Sequence, residues 1–430
     1  MIHTRPILSI ALIILALLPS LALAQNDGGN NNQIFGISVN PDGAIEFRQK
    51  DANSELAKIR SRRPSKEAPA DADKRLKFVS LVKLSTDLRN AIESNKPLPN
   101  ELKYLQGLTQ IRYILLYPDE KDLLIAGPAE EIDASNPMQP RGKLTGRPIL
   151  QLDDLITALR RASGPDARKP FGCSIDPPPN AVDRAQAVLQ RVGSSDRALL
   201  AREMAREMGP QQVRLFGAPP DSRLAFICVA ADYHLKRYTT VVDPFPLAGI
   251  GHPIDNSRPA GNGFWFEVNY DKLLVSPDNT AYEIRGPRLK LQAGAIPFDT
   301  KGATERAKAW TANVNKNIPA LAAAVPIYAD LQNIADLSLL ASLIQKDKLA
   351  QRANWDTSWL LNPANYTPKS IPIPRTCDTI VNYAAGSLTA GGVSLDPSSS
   401  VPEENRERDE AGVLKPVAQR GASAATSTAK

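Results

Sequence analysis

Short apolar runs on either side of Pro-Asp turns recur along the chain. These turns lie at residues 40–43, 118–119 and 277–278. Proline presets φ and aspartate bonds to the nearby backbone, and both properties are typical of turns between adjacent strands. We therefore predict a β-hairpin around each of the three turns.

Apolar residues at helical spacing predict helices between the strands. The predicted helices cover residues 80–93, 100–108, 152–161, 180–191 and 196–208. Residues 303–353 are rich in Ala, Leu and Lys and contain no Gly, which predicts an α-hairpin or small bundle. An apolar-rich segment at 212–217 and a continuous apolar run at 224–230 predict strands, and the second strand extends to His234. The predicted fold class is α+β, with hairpin-rich mixed or antiparallel sheets, intervening helices and a C-terminal α-hairpin module.

Changes in composition divide the chain into six predicted segments. They are a signal peptide (1–24); a flexible leader, an N-terminal hairpin and a charged linker (25–75); a first α+β region (76–170); a second α+β region (171–302); a helical hairpin with a Pro-rich return segment (303–397); and a disordered tail (398–430). The tail is assigned from its Ser, Ala, Glu and Arg content without apolar periodicity.

The N-terminus has the pattern of an export signal. Arg5 precedes an apolar run at 7–18, and the small residues Ala22 and Ala24 stand where signal peptidase requires them. We expect cleavage between Ala24 and Gln25 and a periplasmic or secreted product. The alternative is a retained N-terminal anchor. No later segment approaches the roughly twenty apolar residues of a membrane span, so the mature chain is expected to have none.

Composition and charge narrow the function classes. The chain has 430 residues, 42% of them hydrophobic, which excludes a wholly disordered protein. Its net charge is +6, and basic residues bunch within 60–77. No aromatic residue interleaves with the first basic cluster, at 60–66, as stacking on nucleic acid requires, so we predict no nucleic-acid partner. Three Cys and three His exclude a zinc array or a dense disulfide scaffold, and no motif indicates a cofactor.

The cysteines allow a structural and a catalytic interpretation. Cys228 lies within an apolar run and is expected to be buried. In an oxidising compartment Cys173 and Cys377 are then the most plausible disulfide, although three cysteines allow three pairings. The alternative is a hydrolase that uses Cys173, or a pair of carboxylates, with His234 as the base. No nucleophile motif surrounds Cys173.

Asp232, His234 and Trp265 form the candidate surface site. In the predicted strand, Asp232 and His234 point to one face, and with His252 and Asp255 they would make a metal site. A hydrogen-bonded surface or strand-edge histidine is the favoured alternative. Trp265 lies between two phenylalanines, a pattern that suits either a stacking platform or a strand that packs on both faces; we favour packing.

A series of short motifs resembles one known family. In chain order they are AGPAE at 126–130, TGRP at 145–148, LDDL at 152–155, FGAPPDS at 216–222, ADYHLKR at 231–237, FWF at 264–266 and YEIRG at 282–286. Together they resemble an exported, planctomycete-type bacterial family known as a domain of unknown function, numbered fifteen ninety-eight. The resemblance implies one long architecture in an envelope or secreted setting. It transfers no catalytic residue.

The function predicted from sequence is therefore non-catalytic. We expect an exported envelope or extracellular protein that binds a partner protein or a polymer, or has a structural role. The secreted hydrolase is the alternative. Convergence of Cys173, His234 and an acid in one cleft would favour the hydrolase.

Overall fold

A computed structural model describes residues 12–13, 36–61, 76–193, 195–254, 261–268, 272–296, 303–384 and 387–394. The predicted cleavage site at Ala24 and Gln25 and the predicted disordered tail lie outside these residues, as does most of the predicted signal peptide.

Strands and helices alternate irregularly along the chain. The strands are β1 (Leu12–Ile13), β2 (Ile37–Val39), β3 (Arg48–Lys50), β4 (Leu76–Ser80), β5 (Tyr113–Tyr117), β6 (Asp122–Pro128), β7 (Ile132–Asp133), β8 (Arg141–Gly142), β9 (Phe171–Asp176), β10 (Gln211–Phe216), β11 (Gly261–Val268), β12 (Lys272–Val275), β13 (Ala281–Arg285), β14 (Leu289–Ile296), β15 (Thr376–Ala384) and β16 (Ser387–Ser394). The helices are α1 (Gly43–Glu46), α2 (Glu55–Ser61), α3 (Leu81–Glu93), α4 (Asn100–Lys103), α5 (Leu152–Ser163), α6 (Ala181–Val192), α7 (Arg197–Met208), α8 (Arg223–Thr239), α9 (Glu305–Lys316), α10 (Ile318–Ala324), α11 (Pro326–Lys346), α12 (Leu349–Arg352) and α13 (Ser358–Leu361).

Two large mixed sheets organise the fold. The first has the order β1-β16-β15-β10-β9-β2-β11-β14, and the second has the order β3-β12-β13-β5-β6-β4. Most neighbouring strands are antiparallel; the parallel pairs are β1–β16, β2–β11 and β3–β12. The predicted α+β class with mixed sheets is confirmed. Each large sheet takes strands from several of the predicted segments, whose boundaries stay a prediction.

Both large sheets contribute to one main core. One large apolar cluster joins residues of both sheets to helices α5, α8 and α11. A second cluster packs α6 and α7 against β15 and β16, and a third packs α2 against the second sheet. Helix α11 belongs to the large cluster, and eighteen of its residues are buried. The predicted C-terminal helices are thus part of the main core.

Two of the three predicted hairpins are confirmed. β5 pairs with β6, and β12 pairs with β13, across their Pro-Asp turns. The prediction for residues 40–43 is wrong, because this turn enters α1 and connects β2 in the first sheet to β3 in the second. Its local turn chemistry is as predicted, with the Asn40 side chain accepting from the Asp42 N–H at 3.1 Å. Tertiary packing separates the flanking strands.

Close backbone contact holds β2 beside β9. A Cβ atom at Gly172 would lie 1.8 Å from the carbonyl oxygen of Ile37, and one at Gly36 would lie 2.1 Å from that of Cys173. Only glycine fits at such an approach. This contact positions Cys173 and the end of β9 under helix α8.

Candidate functional site

Helix α8 carries two of the three residues of the predicted surface site. It begins after Ser222, whose hydroxyl accepts from the Ala225 N–H at 3.1 Å, and residues 223–238 are all buried. The prediction of a strand over 224–234 is wrong. A helix enclosed on every side has apolar residues all round, so its sequence lacks the single apolar face that distinguishes a helix from a buried strand.

Asp232 lies at the contact between α8 and the first sheet. It is 0% exposed, and its Oδ2 accepts from the Ile175 N–H of β9 at 2.9 Å. Lys236 Nζ lies 3.9 Å from the same oxygen, while Oδ1 has no hydrogen-bond partner among the described residues. Burial raises the pKa of Asp232 to about 7, against the opposing effect of Lys236. The predicted surface position of this carboxyl is therefore corrected to a buried one.

The three cysteines are free thiols in the core. Burial raises the pKa of Cys228 and Cys377 to about 12, and that of Cys173 well above its ordinary value. Asp232 adds to each of these shifts. Because a thiolate is the reactive form, these pKa values do not favour nucleophilic catalysis.

The predicted disulfide between Cys173 and Cys377 is not present. Cys173 lies opposite Leu215 on one side of β10, and Cys377 lies opposite Gln211 on the other side. The cysteines are thus two strand spacings apart, roughly 9 to 10 Å, and are also offset along the strands. Bridged Cα atoms lie within about 7 Å, so this pair does not fit a disulfide.

His234 belongs to a row of packed aromatic rings. Successive helical residues turn by about 100°, which places His234 on the other side of α8 from Asp232 and Cys173. Its ring stacks on Tyr238 at a centroid distance of 6.2 Å, and the row continues through Phe245, Trp310 and Phe264. The structure thus brings Asp232 to Cys173 but leaves the predicted base elsewhere. His234 is 5% exposed, so its predicted surface position is also corrected.

Trp265 is buried in β11 at 6% exposure, and its Nε1 donates to Glu267 at 3.3 Å. Phe264 and Phe266 are also buried, which confirms packing in place of a stacking platform. The third candidate surface residue is thus corrected as well.

His252 lies in the segment after α8. Burial and the charge of Arg306 lower its pKa, and its Nδ1 is buried without a hydrogen-bond partner within the described residues. Asp255, the fourth predicted metal ligand, lies outside the described part of the chain. In that part, no group of three or more His, Cys, Asp or Glu side chains is arranged to hold a metal ion.

Buried ion pairs, which sequence reasoning missed, connect the central helices. The guanidinium of Arg223 on α8 contacts Asp154 of α5 and Asp330 of α11. In the same layer, Arg288 Nε donates to Asp336 of α11 at 2.9 Å. The detectable signal was the isolated charge inside an apolar run, such as Asp330 and Asp336 within α11. Such charges require partners when they are buried.

A polar groove lies at the surface beside α3. Its volume is about 380 Å³. Its lining combines eight polar residues with five apolar ones and consists of Ser80, Lys83, Leu84, Asp87, Asn90, Ala91, Ser94, Lys96, Pro97, Pro99, Glu101, Leu102 and Gln106. Lys83 Nζ donates to the carboxylate oxygens of Asp87 at 3.0 and 2.9 Å. Sequence reasoning identified the two helices here but not the concavity between them.

Unusual backbone conformation occurs at one end of this groove. Leu105, Gln106 and Gly107 have φ values of 42°, 56° and 83°. The buried Leu105 side chain and the bond from Glu130 N–H to Gly107 O, at 3.0 Å, hold the turn. Left-handed conformations at non-glycine residues cost conformational free energy and are frequent at binding sites. The turn therefore supports the groove as a candidate binding site.

Among the described helices, none combines the length and the apolarity that a membrane crossing requires.

Comparison with known proteins finds a similarity for one part of the chain. No curated protein and no solved structure matches the chain. Residues 173–249, which include most of β9, the whole of β10 and helix α8, match the family model described as "Protein of unknown function (DUF1598)". The segment that carries Cys173, Asp232 and His234 is therefore similar to a protein family without an assigned function.

Proposed function

We propose that this chain is an exported, non-catalytic binding protein whose ligand site is the polar groove beside α3. The groove carries the proposal, because it is an open concavity whose lining includes four charged and four uncharged polar residues. In contrast, the residues of the alternative hydrolase site are buried. The thiols and His234 also lie on different sides of α8.

The lining favours a polar ligand with charges of both signs. Lys83 and Lys96 supply cations, and Asp87 and Glu101 supply carboxylates. Hydroxyl and amide groups add donors and acceptors, and no aromatic residue is among those that line the groove. This chemistry suits an extended peptide segment of an envelope partner better than a sugar ring, which binds by stacking on aromatic faces.

Reversal of the groove's positive charges is expected to abolish binding. We predict that the double variant Lys83→Glu and Lys96→Glu captures less than about one tenth of the ligand that the wild type captures. The new carboxylates repel the ligand's negative charges, which the two lysines attract in the wild type. The measurement is affinity capture from native envelope extract by the full chain, followed by mass spectrometry.

Lys103→Glu is the matched control. This residue is exposed on α4 but does not line the groove, so its charge reversal should leave capture unchanged. Equal capture by the double variant and the control would contradict the groove assignment. Turnover by the wild-type chain in a general hydrolase screen would contradict the non-catalytic function.

Export predicts a defined mature N-terminus. We expect the processed protein to begin at Gln25, and so to lack the edge strand β1, and to leave the cytoplasm. Ala24→Tyr should block processing, because signal peptidase requires small residues near the cut. N-terminal sequencing and intact mass of the protein from cell fractions measure this. An unprocessed wild-type chain in the cytoplasm would overturn export.

A further inference from the structure

We infer that Cys173 of β9 and Cys228 of α8, both free thiols in this structure, are oxidised to a disulfide in the mature protein, with Cys377 left as a free thiol. Formation in the cell rests on the export part of the proposed function, because disulfides persist in oxidising compartments. The geometric part of the inference is independent of where the protein resides.

The direction of α8 places Cys228 opposite Cys173. β10 runs antiparallel to β9, and α8 follows β10 after a reversal of the chain, so α8 runs in the direction of β9. The bond between Asp232 and Ile175 fixes the register of helix and strand.

A second contact follows one step back along both elements. Cys228 precedes Asp232 by four residues, about 6 Å along a helix. Cys173 precedes Ile175 by two residues, about 6.6 Å along a strand. The two steps match, and both cysteines belong to the same buried cluster. The Asp232 bond also shows that the backbones approach closely here, because an aspartate side chain is short.

Electrostatics agrees with this neighbourhood. After burial and Asp232, the Cys228 thiol is the next contributor to the raised pKa of Cys173. Cys377 lies beyond β10, two strand spacings from Cys173, and is too distant for a bridge to it. The sheet register therefore excludes a bridge between Cys173 and Cys377, whereas the register of α8 on β9 favours one between Cys173 and Cys228.

The reaction is a two-electron oxidation. The two thiols lose two protons and two electrons and form one S–S bond, and a disulfide oxidant, either a thiol oxidoreductase or oxidised glutathione, is reduced to two thiols. Both cysteines are 0% exposed in the folded chain, so the bond forms during folding, before the core closes.

Oxidative refolding of the purified full chain tests the inference. The chain is unfolded and reduced, then refolded with reduced and oxidised glutathione. Under denaturing conditions we expect one alkylatable thiol in the product and three in the reduced protein. Non-reducing peptide mapping should find Cys173 linked to Cys228. Three free thiols, or Cys377 in the bridge, would overturn it.

Two variants separate the bridge from its alternatives. Cys377→Ala should retain the linked peptide, whereas Cys228→Ala should leave two free thiols. Wild type that is reduced in denaturant and refolded without oxidant should have a Tm about 5 °C or more below that of the oxidised form, whereas the same treatment should leave the Tm of Cys228→Ala unchanged. A wild-type Tm that does not respond to reduction would contradict a structural bridge.

The same map of protein isolated from cells distinguishes the two proposals. A bridge that forms in glutathione buffer but is absent in the cell would count against export alone. A bridge absent in both would count against the inference and would leave the N-terminal processing result unaffected.

Discussion

Arg223→Met is expected to lower the free energy of unfolding by about 3–5 kcal/mol. The guanidinium lies between two carboxylates, Asp154 and Asp330, and all three side chains are at most 6% exposed. Methionine has a similar length but no charge, so the substitution leaves both carboxylates buried without their cation. Urea unfolding at neutral pH, followed by circular dichroism, measures the loss.

Arg206→Met is the control at the surface. Arg206 pairs with Glu203 at 2.7 Å but is 66% exposed, and such pairs contribute less than about 1 kcal/mol. A triple variant that also changes Asp154 and Asp330 to Asn should recover part of the stability, because no unpaired charge is left in the core. If Arg223→Met were as mild as Arg206→Met, these ion pairs would not hold the central helices together.

Local sequence signals were sufficient where an element has one solvent-facing side. Helix α3 follows its predicted bounds closely, with the Ser80 hydroxyl accepting from the Lys83 N–H at 2.9 Å. The β5–β6 hairpin combines turn residues with strands adjacent in sequence. In both places the local preference and the tertiary environment favour the same structure.

The central layer could not be predicted in this way. Helix α8 is buried on every side, so hydrophobicity alone does not distinguish it from a strand. The predicted strand placed Asp232 and His234 on one face, whereas helix α8 places them on different sides. The missed partner of Arg223 in α11 lies 107 residues away in sequence, and local periodicity contains no information about such pairs.

Asp232→Asn is expected to change the pH dependence of stability. In the folded chain Asp232 keeps its proton up to a pKa of about 7, whereas the unfolded chain releases it near pH 4. Between these values the folded state binds more protons, so the wild type loses stability as pH rises from about 4 to 7. The asparagine has no proton to lose, and its oxygen still accepts from Ile175.

The free energy of unfolding of the variant, relative to that of the wild type, should therefore rise by up to about 4 kcal/mol between pH 4 and pH 8. This figure follows from about 1.4 kcal/mol per pKa unit. The measured quantity is the difference between their unfolding free energies at each pH. Asp154, whose pKa burial raises to about 6, affects both proteins alike and cancels in this difference. Asp183→Asn, at an exposed position on α6, should give a nearly flat difference. Parallel wild-type and Asp232→Asn curves would mean that this carboxyl ionises as easily in the core as in water.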